Sequence, residues 1–204
     1  ELLGLPWRLA LALQEDDWCL RADIIWSKPN PVPEPLSRGR PTSSHEYLFL
    51  LSASPSYYYD ADAVRDGRSL RDVLEIPLYG LSEAHFATYP PALVEPCIKA
   101  GSSEKGCCSK CGAPYRRIVE VSGGTIGAGW HQHDEDLTTG QKKNESGMDT
   151  YSRETTGWEP GCGCEAGDPI PCKVLDPFGG ALTTALVADR LGRDSTSIEL
   201  PRDY

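Results

Sequence analysis

The chain has 204 residues, of which 39% are hydrophobic, enough for one globular domain with its own core or one domain with an insertion. The 20 Lys and Arg residues are outnumbered by 30 Asp and Glu, so the formal net charge is −10, and contacts with nucleic acid phosphates would need a local basic cluster. No apolar run reaches the roughly 18 residues of a membrane span, so we expect a soluble, cytoplasmic protein with no membrane partner.

The N-terminal half of the chain is predicted to alternate between helix and strand. Hydrophobic periodicity predicts a helix over residues 2–14, strands over residues 20–27 and 47–52, and a short helix over residues 93–100 that follows a Pro-Pro pair. The first helical pattern is already under way at Glu1, and no Met begins it. We therefore expect the chain to be a fragment.

A polar segment interrupts the C-terminal half. Residues 121–161 are dominated by Gly, Ser, Thr, Asp, Glu, Asn and Gln, with isolated tryptophans at Trp130 and Trp158. Such a composition buries little apolar surface, so we predict a mobile insertion. The two tryptophans would either contribute to target recognition or pack against the main domain.

Cysteines bracket this insertion. Cys108 and Cys111 are separated by two residues and followed by a glycine, whereas Cys162 and Cys164 lie on the other side of the polar segment with one residue between them. Four thiolates in a tetrahedral array would form a structural zinc site at the base of the insertion. We therefore take these four cysteines as the candidate metal ligands.

The remaining cysteines leave alternatives open. Cys107 and Cys172 could replace members of the ligand set, and the thiols could also be free or form disulfides. Cys19 and Cys97 stand among apolar residues and are predicted to be core residues.

A strand, glycine turn, helix and strand are predicted near the C-terminus. The pattern places a short buried strand at residues 173–176, a turn at 177–180, a helix at 183–191 that ends before Gly192, and a second strand at 195–200. This order, with an acidic residue about 20 positions after the turn, is typical of sites that bind nucleotide-type cofactors.

The turn itself has the residue types that such a site needs. Gly179 and Gly180 allow a sharp turn and a close approach of the backbone to a ligand, and the first amides of the following helix can receive an anionic group. Glu199 can accept hydrogen bonds from ribose hydroxyls. An ordinary strand-to-helix turn is the alternative, and Leu182 stands where a third small residue is expected.

Several short segments carry the most specific patterns of the chain: Leu2–Leu13, Arg21–Asn30, Ser44–Ser52, His85–Pro90 with Leu93–Cys97, Asp176–Gly180 with Thr183-Thr184, and Ser197–Leu200. In this order they resemble the S-adenosylmethionine-dependent DNA amino-methyltransferases of the permuted, beta arrangement, particularly phage and restriction-modification members. This family modifies N4 of cytosine or N6 of adenine.

The resemblance implies a Rossmann-like, three-layer α/β methyltransferase sandwich that is incomplete here, truncated at both ends, with the polar insertion bracketed by cysteines. It assigns residues 1–106 to the remnant of the catalytic half and the donor-side segment, residues 107–172 to the insertion with its candidate zinc ribbon, and residues 173–204 to the donor-binding βαβ unit. The permutation explains why the glycine turn comes late.

The resemblance also implies which residues bind S-adenosylmethionine. The matching positions are His85, Phe86, Ala87, Thr88, Asp176, Phe178, Gly179, Gly180, Thr183 and Glu199. In the family the acid at the position of Glu199 binds the ribose, and the segment 85–88 lies along the methionine part. The family has Ser-Gly where this chain has Ala181-Leu182, so Leu182 is expected to intrude on the pocket or to stiffen the turn.

The implied activity is direct transfer of a methyl group to the exocyclic amino group of a cytosine, or an adenine, flipped out of duplex DNA. A cognate restriction endonuclease is a candidate partner, and the sequence sets no oligomeric state. The family's Ser-Pro-Pro-Tyr or Asp-Pro-Pro-Tyr loop does not occur in the 204 residues, so no catalytic residue is assigned and the fragment is expected to be inactive alone. The alternative is a non-catalytic DNA-binding or donor-binding module with a zinc-stapled loop.

Overall fold

The computed structural model describes residues 3–31, 39, 41–66, 69–78, 88–122, 152–165 and 167–200. Its elements, in chain order, are α1 (Leu5–Glu15), β1 (Cys19–Ser27), β2 (His45–Ser52), β3 (Val73–Glu75), α2 (Pro91–Gly101), β4 (Arg116–Ser122), β5 (Ser152–Glu159), β6 (Lys173–Asp176), α3 (Thr183–Arg190) and β7 (Asp194–Ser197). The chain divides into two compact units. One comprises Glu1–Arg116 with Pro160–Tyr204, and the other comprises Arg117–Glu159.

The first sheet is built around β1. Its strand order is β2-β1-β3, with β2 antiparallel and β3 parallel to β1. The buried indole of Trp26 on β1 donates a hydrogen bond of 2.8 Å to the carbonyl oxygen of Ile76, just beyond β3. Trp7 of α1 packs edge-on against the rings of Tyr47 and Phe49 on β2, at centroid distances of 5.7 and 5.0 Å. These aromatic contacts pack α1 against the sheet.

The second sheet is a parallel pair, β6 and β7, joined by α3 as a crossover. Parallel strands need such a crossover because a tight hairpin cannot connect them. A hydrophobic core lies between α2 and this unit. It is formed by Ile98 of α2 with Val187 and Ala188 of α3, and Val174 of β6 packs against these residues. Helix α2 is therefore the element that anchors the β6–α3–β7 unit.

A buried arginine ties the end of α2 to the loop between α3 and β7. Only 7% of Arg193 is exposed, and its guanidinium donates from Nε to the Ser102 hydroxyl and from Nη2 to the Ser102 carbonyl, both at 3.1 Å. It also donates to the carbonyl of Leu191. The carbonyls at a helix C-terminus carry partial negative charge, so this end of α2 is a favourable environment for a cation.

The Arg117–Glu159 unit contains β4 and β5, which pair in a two-stranded sheet. The guanidinium of Arg117 lies over the indole of Trp158 at 4.4 Å and donates a hydrogen bond of 2.9 Å to the Thr155 hydroxyl. The half-buried Trp158 therefore packs on β4 within this two-stranded sheet. Its role in target recognition stays a prediction. Trp130 lies outside the described residues.

All four predicted elements of the N-terminal half are confirmed, with ends shifted by up to three residues. The prediction of a mobile insertion over 121–161 is wrong for residues 152–159, because β5 finds a pairing partner in β4. The compact unit Arg117–Glu159 is also shorter than the predicted segment 107–172. The segments around Cys107 and Ile170 pair with each other, with N–H···O distances of 2.8 and 3.0 Å, and stay with the rest of the chain.

Two further expectations are corrected. The predicted strand 195–200 ends at Ser197, because its partner β6 ends at Asp176 and the chain turns from there. Cys97 is exposed rather than in the core, because it lines an open apolar pocket beside Ile24 and Leu50 and is not covered by packed side chains. Cys19 is half-buried. Among the described residues, no helix is long and apolar enough to cross a membrane.

We predict that Arg193→Met lowers the free energy of unfolding by about 2 kcal/mol, because it leaves the buried groups of Ser102 without their donor. The matched control is Arg190→Met, which removes an exposed arginine three residues earlier and should cost less than about 0.5 kcal/mol. Urea denaturation of both variants measures the difference. Equal losses would mean that the buried hydrogen bonds of Arg193 contribute nothing of their own.

Candidate functional site

The chain turns sharply between the end of β6 and the start of α3. Gly180 has φ of +48°, and Leu182, which caps α3, has φ of +59°. The turn is closed by a hydrogen bond of 2.7 Å from the Leu182 amide to the Gly179 carbonyl. A left-handed conformation is natural for glycine but costs a residue with a Cβ about 1 kcal/mol or more, so Leu182 is a strained residue in this turn.

Gly179 is required by a close approach of two backbone segments. Its amide donates a hydrogen bond of 2.8 Å to the carbonyl of Ile198, just beyond β7. A Cβ added at Gly179 would lie 3.0 Å from the Cβ of Ser197 and 3.2 Å from a methyl carbon of Leu182. Gly180, by contrast, has only the Phe178 carbonyl oxygen near its own added Cβ, at 3.9 Å. The open side of the turn is therefore at Gly180.

The carboxylate of Asp176 organises the start of the turn. It accepts a hydrogen bond of 3.0 Å from the Phe178 amide and another of 3.0 Å from the Tyr89 hydroxyl. The Tyr89 oxygen also shares a hydrogen bond of 2.6 Å with the Thr184 hydroxyl. Burial raises the pKa of Asp176, but the hydrogen bonds from Thr184, the Phe178 amide and Tyr89 outweigh it and hold the pKa below its ordinary value. Asp176 is thus a carboxylate at neutral pH.

Tyr89 was not among the predicted site residues, although it connects the segment before α2 to the turn after β6. Burial raises the pKa of its phenol, the Thr184 hydrogen bond lowers it, and the Asp176 carboxylate raises it, with a net shift upward. The phenol therefore remains a hydrogen-bond donor. A sequence signal existed, because Tyr89 directly follows Thr88 in one of the segments that carry the family resemblance.

Glu199 lies two residues beyond β7, on the open side of the turn. Its exposed carboxylate accepts a hydrogen bond from the Gly180 amide. Asp176 is thus the last residue of β6 and Glu199 follows the end of the adjacent parallel strand β7, with the glycines between them. That edge is where open α/β sheets bind their ligands.

The structure brings most of the predicted donor-binding residues together. Phe178 projects from the turn with 84% of its surface exposed, whereas Thr183, the first residue of α3, is 7% exposed. Thr88 is half-buried and adjoins Tyr89, whose hydroxyl reaches Asp176. The other three predicted residues lie outside the described part of the chain: His85, Phe86 and Ala87.

The four predicted metal ligands also come together. The sulfur atoms of Cys108, Cys111, Cys162 and Cys164 all lie within 4.8 Å of one another. Cys108 is buried, and its sulfur accepts the Lys110 amide at 3.4 Å. All eight cysteines lie in the described residues and are free thiols.

The thiols differ in acidity. Hydrogen bonds from the backbone amides of Cys111 and Lys110 lower the pKa of Cys108 to about 6. The neighbouring sulfurs of Cys111 and Cys162 raise the pKa of Cys164 to about 12. Without a bound cation, the cluster therefore favours thiolate at Cys108 and thiol at Cys164.

Cys107 and Cys172, the alternative ligands, lie outside this cluster. Both are buried, and their sulfurs point to the carbonyls of Pro171, at 3.7 Å, and Ser103, at 3.6 Å, respectively. The close sulfur of Cys107 adds to burial in raising the pKa of Cys172. The cluster of four is therefore the set with metal-ligand geometry.

Comparison with known proteins identifies relatives over the whole chain. The N6/N4 methyltransferase family model, described as DNA methylase, matches residues 6–108. Type II methyltransferase M.SmaI of Serratia marcescens is 46% identical over an alignment that covers 100% of this chain and 50% of that protein. M.Cfr9I of Citrobacter freundii is 50% identical over 50% of this chain and 36% of that protein. The chain thus spans half or less of these curated relatives.

Two solved structures have a similar fold. PvuII DNA methyltransferase, described as cytosine-N4-specific, superposes with a TM-score of 0.57 at 17% identity, over 96% of this chain and 52% of that one. M1.HpyAVI in its complex with SAM gives a TM-score of 0.51 at 17% identity, over 100% of this chain and 68% of that one. These matches confirm the α/β methyltransferase fold in incomplete form. With a family match across half of its length, the chain belongs to the N6/N4 DNA methylase family.

Proposed function

We propose that this chain is the donor-binding part of a DNA methyltransferase that moves a methyl group from S-adenosylmethionine to the exocyclic amino group of a base in duplex DNA. Cytosine N4 is the favoured acceptor and adenine N6 the alternative. The observation that carries the proposal is the turn after β6, where Asp176 and Glu199 flank two glycines in a chain of the DNA methylase family.

The donor would lie on the open side of this turn. Glu199 is the proposed acceptor for the ribose hydroxyls, and the exposed ring of Phe178 offers an apolar face to the adenine. Gly180 presents backbone without a side chain, and Asp176 holds the turn in place through the Phe178 amide. The methionine part is proposed to run towards Thr183 and the segment 85–88.

The proposed reaction is a direct displacement. The amino nitrogen of the flipped base attacks the sulfonium methyl carbon in line, a C–N bond forms, the C–S bond breaks, and S-adenosylhomocysteine leaves with the sulfur electron pair. The nitrogen then loses one proton to solvent. The chain's residues contribute by binding and orienting the donor, and no thiol takes part as a nucleophile.

Two further components belong to the proposal. A restriction endonuclease that cuts the same recognition sequence is the proposed partner, since the curated relatives are named as type II methyltransferases. A structural zinc ion at the four clustered thiols is the proposed second cofactor.

We expect Glu199→Gln to weaken S-adenosylmethionine binding by about tenfold, because a charged acceptor contributes roughly 1.5 kcal/mol more than a neutral amide. The control is Glu154→Gln on β5, which removes one exposed carboxylate far along the chain from the turn. Isothermal titration of both variants gives the affinities. Unchanged binding in Glu199→Gln would remove this residue from the proposed site.

Gly179→Ala is expected to lower both the donor affinity and the stability, the latter by about 1 to 3 kcal/mol, because the new methyl group would crowd Ser197 and Leu182. Gly101→Ala, at the end of α2, is the matched control, since a Cβ there has no atom within 4 Å. Thermal unfolding and titration with S-adenosylmethionine test the pair. If Gly179→Ala behaved like Gly101→Ala, the close approach of the turn to β7 would not matter for the site.

Residues 1–204 alone are expected to bind the donor without transferring its methyl group to DNA. The measurement is incorporation of labelled methyl into duplex DNA, with donor binding verified on the same sample. Incorporation would show that the chain carries its own means of holding the target amino group.

The acceptor base is tested separately. In cells that carry the gene, analysis of the DNA nucleosides should find N4-methylcytosine. Finding N6-methyladenine would instead select the alternative acceptor.

A further inference from the structure

The four clustered sulfurs come from two backbone segments that are in direct contact. A Cβ on Gly161 would lie 2.2 Å from the Pro114 carbonyl oxygen, and one on Gly106 would lie 2.4 Å from that of Ile170. Both glycines therefore allow a backbone approach that a side chain would prevent. Segment 106–115 and segment 160–172 are held side by side at the two points where the chain leaves for and returns from the Arg117–Glu159 unit.

The first segment has the local geometry of a metal knuckle. Gly112 has φ of +74°, and its amide donates a hydrogen bond of 2.8 Å to the Cys108 carbonyl. This turn directs the Lys110 amide towards the Cys108 sulfur. Backbone amides aimed at a sulfur stabilise negative charge on it, as a thiolate ligand requires.

We propose that Cys108, Cys111, Cys162 and Cys164 bind one Zn²⁺ as thiolates, and that this ion holds strand β6 in place. Zn–S bonds of about 2.3 Å put tetrahedral sulfurs about 3.8 Å apart. The present limit of 4.8 Å therefore closes to a zinc site by shifts of about 1 Å or less. Each cysteine that is still a thiol loses its proton to solvent as its Zn–S bond forms. Four cysteine ligands leave no open coordination position, which is typical of a structural zinc ion.

The connection to β6 runs through backbone hydrogen bonds. Cys107, adjacent to the first ligand, exchanges two hydrogen bonds with Ile170, at 2.8 and 3.0 Å. Two residues further on, the carbonyl of Cys172 accepts the amide of Asp194 at 3.0 Å, and β6 begins at the next residue. An ion that clamps the two segments therefore fixes the start of the strand whose other end carries Asp176.

The metal content of the chain tests the first half of the proposal. We expect one zinc per chain when residues 1–204 are produced in zinc-containing medium, loss of the metal in the double variant Cys108→Ser/Cys164→Ser, and full retention in the control Cys97→Ser. Co²⁺ added to metal-free wild type should give the visible absorption of tetrahedral thiolate coordination, which keeps the test valid if the double variant does not fold. Protein without stoichiometric zinc, or a mass lower by about two hydrogens per disulfide, would overturn the site.

Hydrogen exchange tests the second half, independently of donor binding. Removing the metal with a chelator should raise amide exchange by about tenfold or more in residues 107–114 and 170–176, while β1 and β2 remain unchanged. The result that would overturn the link to β6 is faster exchange in 107–114 alone. Because no donor is present, failure of the methyltransferase proposal would not alter this outcome.

Discussion

The hydroxyl of Tyr89 joins the two parts of the chain that form the site. It donates to Asp176 at the end of β6 and meets Thr184 in the first turn of α3, while its own backbone leads directly into α2. At the other end of α2, Arg193 binds the Ser102 hydroxyl and carbonyl. Helix α2 is thus fastened to the β6–α3–β7 unit at both ends, with Ile98 packed between them. The geometry of the glycine turn depends on this fastening, because β6 has only β7 as a strand partner among the described residues.

The parts of the fold that follow from local pattern were predictable. The bounds of β6 were predicted to the residue, because Val174 and Leu175 are followed by Asp176, a proline and two glycines. The predicted burial of this strand was wrong, since none of its four residues is buried and 63% of Leu175 is exposed. The place of Glu199 beside the turn was predicted from its distance along the chain, and the clustering of the four cysteines from their spacing. In each of these cases the signal lies within a few neighbouring residues.

What the sequence could not reveal depends on contacts between distant residues. The Tyr89 hydroxyl is positioned by its hydrogen bond to Asp176, 87 positions away along the chain. The buried Arg193 guanidinium is likewise positioned by its hydrogen bond to Ser102, 91 positions away. The end of β7 at Ser197 is set by the end of its partner rather than by its own residues. The pairing of β4 with β5 spans a polar stretch whose composition alone predicted mobility, and the packing of Arg117 on Trp158 shows how one aromatic residue supports such a sheet.

The contact between Glu199 and the Gly180 amide has a consequence for how a ligand enters. This amide donates its hydrogen bond to a carboxylate of the same chain. A donor bound as proposed would place its ribose on Glu199 and would therefore displace the Gly180 amide from this carboxylate. Binding in this way would exchange one hydrogen bond for another, so the net gain would be small and selectivity would favour ligands that replace the partners of both groups at once.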